Sequence, residues 1–146
     1  MQAFLFYQVK RQNMQGKKIL TVNEKYYVAD HGIREAVFGG NMKDINLVLK
    51  NMVYLELLRR GYKVTVGKTA SQEIDFVCEN RQNELYIQVA YLLASEDTIR
   101  REFGAYDSIP DNFPKYVITL DEFDMSCQGI KHRNIRDFLL EEEWDK

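Results

Sequence analysis

Cysteine, histidine and proline each occur only twice in this 146-residue sequence, and each scarcity removes a class of function. Cys78 and Cys127 are too far apart to fit a zinc-ligand spacing. Cys78 falls in an apolar strand pattern, where a reduced thiol buries as a small hydrophobe, a usage that suits a cytoplasmic protein. His31 and His132 are flanked by charged or turn residues and read as surface positions, not as nucleophile or ligand. Pro110 and Pro114 both fall in SIPDNFPK and mark it as a loop. No apolar run approaches the ~20 residues that span a bilayer, so no membrane partner is expected. The opening MQAFLFYQVKRQ lacks an apolar h-region and a small-residue cleavage site, and does not read as a signal peptide. There is no G-x-x-x-x-G-K-[ST]; Gly61-Tyr62-Lys63 and Gly67-Lys68-Thr69 are too short for a P-loop, and no nucleotide cofactor is expected in this chain. No single sign of charge dominates: 20 Lys and Arg against 22 Asp and Glu give −2, with no bulk pull toward DNA or anionic lipid. Repeats and low-complexity segments are absent as well, which excludes solenoids and disordered tails.

What remains is an ordinary globular composition, 45% apolar and 29% charged, enough for one domain with a substantial core. The start reads as a hairpin: a strand, a polar turn at Asn13-Met14-Gln15-Gly16, a short strand near Ile19-Leu20-Thr21 and another at Tyr26-Tyr27-Val28. A short helix is expected at Gly32–Phe38 with a turn at Gly39-Gly40-Asn41. The clearest helix runs from about Asp44, its cap, to Arg60 and stops at Gly61. Its apolar residues cover most of the circumference, so it is expected to pack on more than one side. Strands follow at Tyr62–Val66, Ile74–Cys78 and Leu85–Leu92, then a polar helix at Glu96–Phe103 and a buried strand at Tyr116–Leu120. A short strand and a helix over Arg136–Glu142 finish the chain, with Trp144 docking the EEEWDK tail or left frayed. The fold class is α/β, a central sheet flanked by helices.

Within QEIDFVCENRQNELYIQVAYLL, Asp75 opens one strand, and Gln88 and Ala90 lie two positions apart on the next. The order helix–strand–strand–strand–helix–strand with this Asp resembles the PD-(D/E)XK nuclease superfamily, whose restriction-endonuclease-like mixed sheet carries an Asp facing a Glu-x-Lys. In this resemblance the strand Glu corresponds to Gln88, the Lys to Ala90 and the helix Glu to Lys50, so Asp75 alone of four positions is retained. Mg²⁺ takes oxygen ligands in octahedral geometry, and such a site uses one or two carboxylates; a lysine helps orient the attacking water, whose pKa the metal lowers. Gln88 removes an anionic ligand, Ala90 removes the cation, and Lys50 adds repulsion. Glu73, on the same strand face as Asp75, and Glu56 on the first helix are the substitutes at hand; Glu56 is six residues from Lys50, roughly on the opposite side. No metal is expected, with Glu73 and Asp75 the weak candidates.

The segments KYYVADHGIREAVFGG, NMVYLELLRRGYKVTVGK, EIDFV, YIQVAYLL, TIRREFGAYDSIPDNFPKYVITLDE and GIKHRNIRDFLL cover nearly the whole chain. In this order they resemble the C-terminal nuclease-like domain of predicted bacterial and archaeal AAA-type ATPases. That resemblance implies an upstream P-loop ATPase and winged-helix segment in cis, with ATP and Mg²⁺ confined to the absent ATPase domain. It also divides this chain at residue 24: 1–24 resembles a winged-helix wing and 25–146 is the nuclease-like domain. The family's Glu-Asn helix opening is here Lys50-Asn51, a departure that weakens a metal site further.

Two basic groups are candidates for a nucleic-acid backbone: Lys10, Arg11, Lys17 and Lys18 on the hairpin, and Arg59, Arg60, Lys63 and Lys68 at the helix–strand junction. The first group reads equally well as a solvated hairpin, and the second reads first as a solvated rim. Tyr26, Tyr27, Tyr54, Tyr62, Tyr86 and Tyr91 read as core and rim rather than as a base-stacking platform. If Asp75 has only a structural role, Lys68 or Arg81 is its expected partner. Three function classes follow: a non-catalytic accessory domain of an ATPase that recognises DNA or a partner protein; a DNA-binding or residual metal-dependent nuclease module; and a stand-alone regulatory interaction domain.

Overall fold

The computed structural model describes residues 6–29 and 45–145. Seven of its strands join in one mixed sheet, in the order β2-β1-β3-β4-β5-β6-β7. They are β1 (Phe6–Asn13), β2 (Ile19–Val28), β3 (Lys63–Lys68), β4 (Glu73–Glu79), β5 (Glu84–Val89), β6 (Lys115–Thr119) and β7 (Lys131–Asn134). Helices α1 (Ile45–Arg59), α2 (Glu96–Gly104) and α3 (Ile135–Leu140) complete the architecture. Neighbours β1/β2, β3/β4 and β4/β5 are antiparallel, while β1/β3, β5/β6 and β6/β7 are parallel. The α/β class and the order α1-β3-β4-β5-α2-β6 agree with the sequence pattern. The expected helix at Gly32–Phe38, the turn at 39–41, the Asp44 cap and His31 lie outside the described residues.

Alternation along the strands sends side chains to two separate cores. Phe76, Ile87 and Ile118 face α1 and α3, joined by Leu49, Val53, Leu57 and Phe138. Val77, Tyr86 and Val117 face the other way, toward Phe103, Tyr106 and Ile109 from α2 and the segment after it. Helix α1 ends on a Schellman motif: Tyr62 N–H reaches Leu57 O at 3.1 Å, Gly61 N–H reaches Leu58 O at 3.0 Å, and Gly61 takes φ +86°. Most of the helix is covered as its apolar surface requires, although Leu47 stays 58% exposed. Helix α2 is capped by Ser95, whose Oγ accepts from Thr98 N–H at 3.2 Å, with Glu96 and Asp97 in the favourable first turn.

The hairpin differs from its expected form. The two short strands at 19–21 and 26–28 are one strand, β2, whose register jumps from Val9↔Lys25 to Arg11↔Leu20 and which holds Asn23 at φ +56°. The boundary drawn after residue 24 therefore falls inside β2. The hairpin also belongs to the main sheet, since Arg11, Gln12 and Asn13 pair with Val66, Gly67 and Lys68. Its turn folds onto the sheet: Met14 is buried against Ile74 and Val77. A Cβ on Gly67 would stand 2.8 Å from Met14 Sδ and 3.0 Å from Ile74 Cβ, so only glycine admits this approach. Lys17 Nζ then reaches Glu84 at 2.5 Å and the Tyr86 hydroxyl at 2.8 Å, tying the turn to β5. Asn51 on α1 clamps the other end, donating to Val28 O at 2.8 Å and accepting from Val28 N–H at 2.7 Å.

The C-terminal tail is docked, and helix α3 ends at Leu140 rather than at Glu142. Trp144 is 2% exposed and packs on Tyr116 and Phe138, with ring centroids 4.7 and 4.9 Å away. Arg60 holds the segment by donating to the carbonyls of Phe138, Glu141 and Glu142 at 2.6, 2.8 and 3.1 Å. His132 is a second correction. Strand alternation turns it inward, 3% exposed, between Thr119 Oγ1 at 2.7 Å and the backbone N–H of Met125, which donates to Nδ1 at 3.2 Å. Its surface appearance in the sequence came from Lys131 and Arg133 on the opposite side of the same strand. Among the described residues, no helix is long and apolar enough to cross a membrane.

Candidate functional site

A cleft of about 430 Å³ opens where β4 and β5 part, between the end of the hairpin and helices α1 and α2. Two irregularities shape it. In β4, Asp75 and Phe76 together oppose the single residue Val66 of β3, since the register passes from Thr65↔Val77 to Gly67↔Ile74. This is a bulge, a device that re-aims a side chain. In addition, the regular β4/β5 pairing stops at Phe76↔Ile87. Beyond it, side chains continue the ladder: Asp75 N–H donates to Gln88 Oε1 at 2.5 Å, and Val89 N–H donates to Asp75 Oδ2 at 2.9 Å. Two buried backbone donors are thus satisfied by the side chains of the opposing strand, as buried donors must be.

Asp75 is 5% exposed, and its second oxygen, Oδ1, lies 3.0 Å from Lys50 Nζ. The expected partners were Lys68 or Arg81; the partner is Lys50 on α1. Lys50 comes from α1 and its side chain retains 24% accessibility, so its ammonium enters the cleft from the rim. Gln88, 6% exposed, turns its oxygen to Asp75 N–H, which fixes the amide nitrogen toward the cleft. That nitrogen makes one long contact, 3.5 Å, to Glu102 Oε2.

Glu102 was not singled out in the sequence, where the polar helix pattern EDTIRREF hides it among solvated residues. The structure buries it to 7% exposure in the same cleft. Burial is the main force raising its carboxyl above the ordinary range; the Asp75 charge adds to the shift, and Arg101 and Lys50 oppose it. Arg101 Nε donates to Glu102 Oε1 at 3.1 Å. The signal available in the sequence was the spacing of Glu102 beside Phe103 on a short helix, which is too weak to rank it above Arg100 or Arg101.

The remaining candidates divide plainly. Glu73 lines the cleft beside Asp75 as expected, but it pairs with Arg11 and with Lys25, the latter at 3.2 Å. Ala90 is buried one residue past β5, with its N–H on Ile118 O, and does not line the cleft. Glu56 lies away from it, bonded to Arg59 and Arg60 at 2.6 and 2.9 Å. Their hydrogen bonds, Arg59's before Arg60's, pull its carboxyl below the usual range. The two basic groups do not merge into one face. Arg60 is spent on the C-terminal carbonyls, Lys17 on β5, and Arg11 on Glu73 and the Asn23 carbonyl. Lys63 lines a separate pocket of about 170 Å³ with Lys17, Thr65 and Glu79. Lys10 and Lys18 are exposed on the hairpin. Only Lys68 of these eight lines the cleft. Tyr27 stacks on Tyr54 at 4.6 Å inside the core, while Tyr26 is 60% exposed.

A divalent metal does not fit this donor set as arranged. Both Asp75 oxygens, the Gln88 oxygen and both Glu73 oxygens already accept from internal donors, Glu102 Oε1 accepts from Arg101, and the Lys50 ammonium stands 3.0 Å from Asp75. Among the described residues, no three His, Cys, Asp or Glu side chains converge as a metal-binding group.

A Haemophilus influenzae protein carrying only the name "uncharacterized protein" is 39% identical to this chain over 140 residues, 95% of the chain. The chain spans 34% of that relative's length. No family model and no solved structure matches the chain.

Proposed function

We propose that this chain is a non-catalytic recognition domain on a degenerate nuclease-like scaffold, working within a longer protein that carries an ATPase. The observation behind the first part is the Lys50 ammonium 3.0 Å from Asp75 Oδ1. A tethered cation neutralises the one retained acidic position, so that carboxylate does not call for a metal. The scaffold reading draws on the element order α1-β3-β4-β5-α2-β6, with β3–β5 antiparallel and β6 parallel beside β5. The element order is the one the superfamily resemblance implies. Membership in a longer protein draws on the Haemophilus relative, two thirds of which lies outside the matched segment.

A second reading, a residual metal-dependent nuclease, draws on Glu102, a buried carboxyl facing the same cleft. One titration separates the two. With Mg²⁺ or Mn²⁺ added, the first reading expects an unchanged melting temperature and intact plasmid DNA. A metal-dependent rise in melting temperature with nicking that Asp75→Ala abolishes would replace it with the second.

A further inference from the structure

We propose that the cleft between β4, β5 and α2 is a metal-independent site for a phosphoryl group, held by Lys50 and the Gln88 amide at its floor and by Lys68 and Arg101 at its rim. This inference rests on Lys50 being the resident cation of the cleft, as in the proposed function, and it names the ligand class.

The first support is the Gln88 amide. It is 94% buried, its oxygen is committed to Asp75 N–H, and among the described residues its two N–H donors share a single 3.5 Å contact. A buried amide with donor capacity to spare calls for an acceptor. The second support is the charge balance. Lys25, Lys50, Lys68 and Arg101 line the cleft against Glu73, Asp75 and Glu102, an excess of one positive charge with every carboxylate ionised. Burial of Glu102 raises its carboxyl above the ordinary range, which weakens the strongest local opposition to an anion. The third is geometry. Among the described residues, Lys50 needs one of its three N–H groups for Asp75 and Arg101 uses Nε on Glu102, so both keep donors for an incoming oxyanion. Lys68 lines the same cleft from the end of β3. An anion with several acceptor oxygens matches this convergence of separate cationic and neutral donors; phosphoryl oxygens do so without requiring a shared plane.

The phosphoryl group can be free or part of a strand, and two probes separate these sources: inorganic phosphate and a short 5′-phosphorylated single-stranded oligonucleotide, both in EDTA. The readout is the side-chain amide resonance of Gln88 in a ¹⁵N correlation spectrum. A saturable shift with either probe, weakened about tenfold in Lys68→Ala and in Lys50→Met, is the expected result. A response to the oligonucleotide alone assigns the site to a strand; a response to phosphate alone assigns it to a free anion. The proposal is overturned if neither probe produces a saturable shift, or if both variants bind as the parent does. Binding that EDTA removes would overturn both this site and the metal-free reading above. Metal-dependent cleavage alongside EDTA-resistant binding would overturn only that reading.

Discussion

Replacing Lys50 by methionine keeps the length and apolar stem of the side chain and deletes only its charge. What remains is the Asp75 carboxylate, 7% accessible as a side chain, with Val89 N–H as its other donor among the described residues. Removing one member of a fully buried ion pair costs about 3–5 kcal/mol, because the survivor keeps its desolvation penalty. Here the cleft admits water and Lys50 is itself 24% accessible, so the loss is nearer ~2 kcal/mol. For a chain of this size that is a fall of about 4–8 °C in melting temperature. The converse substitution, Asp75→Asn, retains an acceptor for Val89 N–H and strands only an ammonium that can turn to solvent, for about 1 kcal/mol. The double variant should therefore sit close to Asp75→Asn, well above the sum of the two losses. Urea unfolding of the four proteins, followed by far-UV circular dichroism with m-values checked for constancy, measures this. If Lys50→Met is within about 0.5 kcal/mol of the parent, or costs less than Asp75→Asn, the ammonium is not neutralising a buried charge.

Arg60→Ala deletes three hydrogen bonds to C-terminal carbonyls and a guanidinium 5.2 Å over the Phe138 ring. It should cost about 2 kcal/mol, and the fluorescence of Trp144, the single tryptophan, should move to the red as the tail loosens; an unshifted emission maximum contradicts the clamp. Glu102 has a raised folded-state carboxyl, so its contribution is complete below its unfolded value of about 4.5 and is lost as pH rises through the folded value. Glu102→Gln should accordingly gain stability over the parent at neutral pH and lose that advantage below pH 4.5, in parallel melts across the range. His132 has the opposite sign: burial, partly offset by Asp121 and Asp124, lowers it from 6.5, so stability present above pH 6.5 is lost as pH falls through the folded value. Protonation of Nδ1 removes the acceptor for Met125 N–H, and the Met125 amide should exchange faster in acid before the global transition; exchange that tracks global unfolding at every pH would exclude this local step.

Local signals carried much of the fold. The apolar run of α1 with Gly61 behind it, and the alternating strands from Lys63 to Val89, follow from backbone and burial rules that act within a few residues. Expectations failed where a tertiary contact decided the outcome. Asn23 in a left-handed conformation made β2 look like two strands, because the jump in its register is set by pairing with β1. His132 looked solvated because its charged neighbours point the other way, and Glu102 looked solvated because only the packing of α2 over Gln88 buries it. The positions 50, 75 and 88 were found through a resemblance and do meet in one cleft. That Lys50 bonds to Asp75 required the folded distance, since 25 residues and a helix separate them.

The reciprocal clip between Asp75 and Gln88 bears on what such residues can report. Each side chain closes a backbone hydrogen bond that the diverging strands cannot close themselves, so folding constrains both positions whatever chemistry the cleft performs. An acceptor of about this length is needed at 75, and asparagine meets that need as aspartate does. Asp75 is therefore a hinge pin of the sheet, held in place by architecture whatever the cleft binds.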